Sequence, residues 1–509
     1  MKEVFNNTNK FEDELVKLTI KNTLDLVNKT VKPDKLLYIA IDGPPPLAKM
    51  VQQRERRYKG PYVEKLLKEY KPDKVIEGIN YDKNRITPGT RLMTKLNKEF
   101  EKTIKSGKFG KVPVVFSGSD IPGEAEHKYL KLIEEIQQTS NDVFVIFSGD
   151  GDAILLSFRF PDKKIYIMQG IANTALEEYY PPEQQYAYLN TSALGESIFD
   201  LYGNGRNKRE FLVDFIFMTF IEGNDFAKPF FFLKYRDDRM RTPLGIYKFQ
   251  RRLHNNNINL INYKDGQLYI NQLFFKAIVK RLSVLEDDKI KEMQRRLEKK
   301  MSNKGNNNQE LEHMLFSNQR HILHKNFVMQ YDFLFKDFKK NYYEYFWGKI
   351  YNKDDICRNY LNILLFNIRY YFGTAIYWEL NYNAVAAPLP SDLYDFLERN
   401  PNYLDNVKFE EKEPVEPFVL LAYVMPPKTM KDVLPKKYCE KLLKNYTEYF
   451  PENIELKLLV PGGKLIYAEP HLNAPSLDLL KKELKGIKLT KDEKLRNELR
   501  VEPVVYMPK

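Results

Sequence analysis

The stretch LLYIAIDG, residues 36–43, sets the frame for the chain. An unbroken apolar run ends in an acid and a glycine. That is the pattern of a strand buried on both faces, as in a parallel sheet. The same design returns as VPVVFSG at 112–118 and as VFVIFSGDGD at 143–152. Between the last two, Ala125, Tyr129, Leu132, Ile133 and Ile136 share one helical face. Upstream, residues 11–31 carry apolar residues at helical spacing until Pro33 and Asp34 end the pattern. Strand–helix alternation predicts an α/β core with a mostly parallel sheet. In such sheets ligands gather at the carboxyl ends of the strands.

After residue 230 the alternation stops. Phe211–Ile221 is apolar, too short to cross a bilayer, and carries Asp214, so it reads as a buried core segment. Residues 241–300 read as mainly helical with a turn at Lys264-Asp265-Gly266, and the asparagine-rich 301–310 reads as a flexible loop. The expected division is a core at 1–240, a helical connection at 241–325, and a largely helical, aromatic-rich second region at 326–509.

Composition bounds the function classes. Among 509 residues, 43% are hydrophobic and 29% charged, a globular balance. Lysine and arginine number 81 against 69 acids, for a net +12. Such an excess suits a polyanion only where the charge clusters beside chemistry. The two cysteines, Cys357 and Cys439, match no zinc spacing and exclude a disulfide scaffold. No signal peptide or membrane span is legible, so a reducing, cytoplasmic address is the expectation.

Six acids stand at strand or helix ends. Asp42 ends the first apolar run, Glu124 and Glu126 open the helix after the second, Asp150 and Asp152 end the third, and Asp225 follows in GNDF. One acid after a strand is commonly a helix cap, and Asp120 reads as one. Six together suit hard divalent cations, which prefer oxygen ligands. Two such ions about 3.5–4 Å apart can clamp both oxygens of a phosphodiester displacement. Glu124 and Glu126 are two residues apart and would diverge on a regular helix. Both reach one site only if Glu124 lies in the turn before the helix, or an ion sits between their sides.

The run KMVQQRERRYK, 49–59, follows Asp42 closely and is strongly basic. Arginine grips phosphate with two donors and lysine adds a point charge. A solvated helix face explains such a run equally well, and its nearness to Asp42 is what favours phosphate.

Taken together these blocks resemble the XRN family of 5′→3′ exoribonucleases. IDGPPPLAKMVQQRERRYK (41–59), ITPGTRLM (86–93), PGEAEHK (122–128), SGDGDAILL (148–156) and GNDF (223–226) are similar to its motifs in order. The similarity continues, more loosely, in RYYFGTAIYWELNYNAVAAPLPSDL (369–393) and PFVLLAYVMPPKTMKDVLPKKY (417–438). The resemblance implies a PIN-like core shared with flap endonucleases. It implies that Asp42, Glu124, Glu126, Asp150, Asp152 and Asp225 bind two Mg²⁺ or Mn²⁺ ions. Lys49, Gln53, Arg56 and Arg57 would hold a 5′-monophosphate, and Trp378 would stack on the terminal base. The substrate would be single-stranded RNA, with no membrane partner.

There are departures. The family's opening strand, which supplies an aspartate and a histidine, has no counterpart in 1–35. A groove beside strand 36–42, filled by an upstream segment or a partner, is therefore expected. Arg91 stands where the family has a glutamate, and Ala227-Lys228 where it has Leu-Pro. Two rival readings follow: a structure-specific flap or DNA nuclease, and an inactive RNA-binding remnant.

Overall fold

The three apolar runs are strands: β1 (Leu37–Ala40), β2 (Val114–Ser117) and β3 (Val143–Phe147). The computed structural model describes residues 7–70, 81–136, 142–172, 174, 177–203, 207–233, 241–254, 257–302, 337–373, 376–382, 384–457 and 469–508. The first expected helix is α1 (Thr8–Asp25), capped by the Asn7 side chain and continued by a π-helical turn, Leu26–Val31. Next come α2 (Leu47–Tyr70), which carries the basic run, and α3 (Arg91–Lys105). Ile20 and Val27 pack with Phe100 and Ile104 against Ile39, Val114 and Phe116, covering one face of β1 and β2. The helix after β2 is α4 (Ala125–Glu135), and a short α5 (Asp152–Ser157) follows β3.

The expectation of one mostly parallel sheet needs correction. With β4 (Lys164–Gly170), β5 (Tyr186–Asn190) and β10 (Val504–Tyr506), the strands form two three-stranded sheets, β1-β2-β10 and β3-β4-β5. Each has one parallel and one antiparallel pairing. The antiparallel strands are short or have mixed polarity, and β10 arrives from the far end of the chain, so neither repeats the apolar-run signature. Among the described residues β1 pairs only with β2, and β3 only with β4. Lys35 pairs with Asp142, which brings the starts of β1 and β3 together. Val143 (53% exposed), Val145 (38%) and Phe147 (56%) lie on one face of β3 and remain open to solvent. The open edge and apolar groove were expected beside strand 36–42; the bare apolar surface lies on β3 instead.

The apolar Phe211–Ile221 stretch forms most of α6 (Lys208–Phe220), with Phe211, Phe217 and Phe220 fully buried. The turn expected at 264–266 joins a hairpin, β6 (Ile261–Lys264) and β7 (Gln267–Ile270), with Asp265 and Gly266 at φ 50° and 76°. The helices around it are Arg241–Leu253 and Gln272–Ser302. From residue 303 the expected loop lies outside the described residues, as does most of the expected boundary. The second region is helical, led by α7 (Lys353–Tyr371), whose inner face is buried throughout. Among the described residues no helix is long and apolar enough to cross a membrane.

The first and second regions share one core. Phe217 and Phe220 of α6 pack in the same cluster as Leu364 and Ile368 of α7. Gly89 (φ 87°) lets the Thr-Pro-Gly block approach so closely that a Cβ there would lie 2.6 Å from the Pro417 side chain. Arg54 of α2 is 2% exposed and donates to the carbonyls of Tyr423, Tyr449 and Asn473. One of the positive charges in the basic run is therefore a tie between regions. Replacing Arg54 by Met strands those carbonyls, and should lower stability by roughly 3 kcal/mol, read as a fall in the thermal midpoint. An unchanged midpoint would show that other contacts hold α2 to the second region.

Candidate active site

The end of β1 is fixed on both sides. The Ile41 N–H donates to Ser117 O (2.9 Å), continuing the pairing with β2. Gly43 then passes so close to the loop after β2 that a Cβ would sit 1.7 Å from Ile121 O. Between them, Asp42 Oδ1 accepts from the Ala125 N–H (2.8 Å) at the start of α4. Free N–H groups at a helix start favour an anion there. Glu124 is the residue before that helix, in extended conformation (φ −74°, ψ 148°), and Glu126 lies in the first turn. The two glutamates thus do not diverge from a regular helix, because only one of them is on it.

Asp150 and Asp152 are held by a tight turn in which the Asp152 N–H donates to Asp150 Oδ1 (3.0 Å). Asp225 stands in a turn built by Asn224, whose Oδ1 accepts from the N–H groups of Phe226 (3.0 Å) and Ala227 (2.9 Å). Lys49, in the first turn of α2, joins the two sides: its ammonium lies 2.6 Å from Glu124 Oε2 and 2.6 Å from Asp225 Oδ2.

The charges strain one another. Burial, then Asp42, push the Glu126 carboxyl up to about 7, with Glu124 and Asp150 adding to the effect. Burial, then Asp225 and Asp150, push Asp152 up to about 6. Glu124 is also raised by burial, against the pull of Lys49. Burial works against the Lys49 ammonium, but Glu124 and Asp225 outweigh it and hold the proton firmly.

A cavity of about 350 Å³ opens here, with Asp150, Asp152 and Asp225 in its wall together with Lys49 and Arg56. Asp42, Glu124 and Glu126 are not in that wall, though Glu126 feels the charge of Asp150. As they stand, no three acids among the described residues are close enough together to hold one ion. The donor set nevertheless fits hard cations: it is all carboxylate, and buried like charges have raised two of its members.

The phosphate set divides. Arg56 is exposed at the cavity and Lys49 reaches it. Arg57 is buried and donates to Gln53 Oε1 (2.9 Å) and Thr87 Oγ1 (2.7 Å). Gln53 and Arg57 are thus spent on each other and on the Thr-Pro-Gly block, and Gln52 faces the cavity instead. Trp378 is half-buried, and its carbonyl accepts from the Leu47 N–H (2.8 Å). It stands at the start of α2, outside the cavity wall. Lys228 is tied to Glu55 of α2 (2.9 Å) and to Glu469 (3.6 Å), and so braces the basic helix. Arg91 is exposed and meets Asp492 (3.7 Å), far along the chain from these motifs.

Sequence reasoning missed the tyrosines. At the end of α7, the Tyr370 hydroxyl donates to Glu124 Oε1 (2.9 Å), and its ring stacks on His127 (centroids 3.9 Å apart). Tyr371 lines the cavity. The available signal was a Tyr-Tyr pair ending a helix of mixed polarity.

Comparison with known proteins follows the same division. Residues 2–170 match the family model described as XRN 5′-3′ exonuclease N-terminus, and residues 331–507 match the Xrn1 helical domain. The chain is 32% identical over 243 residues to 5′-3′ exoribonuclease 1 of Saccharomyces cerevisiae, covering 43% of this chain and 16% of that protein. It is 23% identical over 556 residues to 5′-3′ exoribonuclease 1 of Homo sapiens, covering 96% of this chain and 32% of that one. Against 5′-3′ exoribonuclease 2 of Schizosaccharomyces pombe it is 29% identical over 287 residues, covering 47% and 29%. The chain thus spans about a third or less of the length of these relatives. Two models of one family match the chain, in that family's order, and the chain belongs to the XRN family.

Proposed function

We propose that this chain is a metal-dependent 5′→3′ exoribonuclease that degrades single-stranded RNA from a 5′-monophosphate end, on a PIN-like core. The observation that carries the reading is the cavity itself. Its wall sets Lys49 and Arg56 against Asp150, Asp152 and Asp225. Cations beside carboxylates suit a phosphate ester whose neighbouring bond is to be hydrolysed.

Two Mg²⁺ or Mn²⁺ ions, held by Asp42, Glu124, Glu126, Asp150, Asp152 and Asp225, would supply a metal-activated water and neutralise charge on the phosphodiester. The protein's own part is positioning. Arg56 and Lys49 bind the terminal phosphate and so fix which bond lies over the acids. Gln53 and Arg57 support the helix beneath them. Lys228 with Glu55, and Tyr370 with Glu124, keep the basic and acidic walls in register. Trp378, whose carbonyl meets the start of α2, would flank the terminal base. A cytoplasmic address is part of the proposal, and the unpaired, buried Cys357 and Cys439 suit it.

The bare face of β3 and the one-sided pairing of β1 favour an added reading: a further extended segment, in cis or from a partner, completes the two sheets. An extended peptide could add to either open edge by main-chain hydrogen bonds. If so, activity of this chain alone is low and rises when such a segment is supplied. A chain with full processive activity by itself would end this reading.

The 5′ end is the main test. Arg56→Ala should erase the preference for 5′-phosphorylated over 5′-hydroxyl RNA, and leave the thermal midpoint unchanged. Arg57→Ala should instead lower the midpoint, because it removes a buried guanidinium from Thr87 and Gln53. Equal loss on both RNAs from Arg56→Ala would make this wall a general binding surface.

The acids predict a pH dependence without activity as the readout. Asp152 and Glu126 have raised values, so the folded protein holds protons that the unfolded chain releases. Metal-free stability should therefore rise as pH falls from about 8 to about 5, and Mg²⁺ should flatten the slope. Asp152→Asn should be more stable than the parent at the upper end, with the gap closing at the lower. Parallel curves in EDTA would refute the repulsion argument.

A further inference from the structure

The ladder between β1 and β2 stops one rung short. The Ile41 N–H donates to Ser117 O (2.9 Å), and the next rung of an evenly spaced parallel pair would run from the Ser119 N–H to Ile41 O. That N–H goes instead to Asn97 Oδ1 on α3 (3.1 Å). The two carbonyls at the break, Ile41 O and Gly118 O, both accept from the Lys128 ammonium, at 2.6 and 3.0 Å. Lys128 ends the first turn of α4 and is half-buried.

The contact bears on Asp42, because Ile41 O belongs to the peptide that joins Ile41 to Asp42. α4 therefore grips Asp42 twice. The Ala125 N–H binds its Oδ1 (2.8 Å), and Lys128 holds its backbone. Residues 125 and 128 are three apart and share a helix face. Glu124 precedes the same helix and Glu126 lies in its first turn. One clamp thus sets where Asp42 stands relative to both glutamates. The ammonium bonds carbonyls here, and among the described residues Asp42 and Asp120 act on it through their charge alone. It leaves the carboxylate oxygens to other partners.

Resting on the metal-dependent exoribonuclease reading, we infer that Lys128 is a positioning residue for the acid cluster. By clamping the Ile41–Asp42 peptide to α4, it fixes the spacing of Asp42, Glu124 and Glu126 and so sets how tightly they hold an ion. Charge alone predicts the opposite sign. An ammonium beside anions competes with a cation, so its removal would tighten ion binding. Loss of the clamp loosens it, because ligands deprived of the contacts that orient them lose about 10–100-fold in metal affinity. The direction of the change separates the two effects.

The test is a Mn²⁺ titration of the full chain. Free ion is read by electron paramagnetic resonance well below every thermal midpoint, so the readout depends on neither turnover nor unfolding. Lys128→Met should weaken Mn²⁺ binding about tenfold. Lys128→Arg, which keeps the charge and the donors, should bring it back toward the parent value. Binding of 5′-phosphorylated RNA in EDTA should be the same in all three proteins, because Lys49 and Arg56 lie on α2. If Lys128→Met does not fold, Lys128→Gln carries the same comparison. Unchanged or tighter Mn²⁺ binding in the folded variant overturns the inference, makes Lys128 a support for the strand ends, and leaves the exoribonuclease reading standing. Weaker RNA binding in EDTA also overturns it, since the effect would then be a general distortion of the site. A parent chain that binds no Mn²⁺ removes the metal-dependent reading itself.

Discussion

The Lys49 ammonium sits 2.6 Å from both Glu124 and Asp225, and the geometry of the site depends on it. Strand ends, a helix start and a turn bring six carboxylates to one end of the fold. Like charges in a half-buried cluster drive each other apart or take up protons. The raised values of Glu126 and Asp152 record that pressure. Lys49 stands between Glu124 and Asp225 and pulls against the rise that burial imposes on Glu124.

Much of this arrangement is held by the second region. Tyr370 fixes one oxygen of Glu124 from the end of α7, and Asn367 of that helix supports the Asn224 turn carrying Asp225. Arg54 and the Lys228 group fasten α2 from behind. Charges buried this deep are tolerated because each meets carbonyls or an opposite charge. The acids come from the α/β region, and the groups that orient them come largely from the helical one. Neither region would present the cavity without the other.

This division explains what was legible in the sequence. β1, β2 and β3 announced themselves as apolar runs, although one face of β3 (Val143, Val145 and Phe147) stays open to solvent. The acids that end them were legible for the same reason. β4, β5 and β10 were not, since pairing partners from distant sequence leave no local period. The two short sheets therefore replaced the single sheet expected. On α2, Lys49 and Arg56 line the cavity with Gln52, and not with Gln53, which the resemblance implied. The choice was made by Arg57, which turns inward to Thr87 and takes Gln53 with it. The tyrosines were hidden by their setting, because aromatic residues at the end of a largely buried helix read as core.

Any cation that takes the oxygens of Glu124 and Asp225 must displace Lys49, since two positive charges cannot share that point at such distances. On the proposed reading the displaced ammonium would stay within the site. Its stem is anchored in the first turn of α2, and the cavity wall beside Arg56 is the polar space within reach. Neutralising the acids and assembling a phosphate-binding pair are thus coupled by one side chain. A lysine suits this use better than an arginine, because its compact, single-point charge can move between partners without breaking a bidentate geometry. On the proposed reading, a buried ammonium among these acids would hold the cluster together before ions arrive and would face the phosphate once they have.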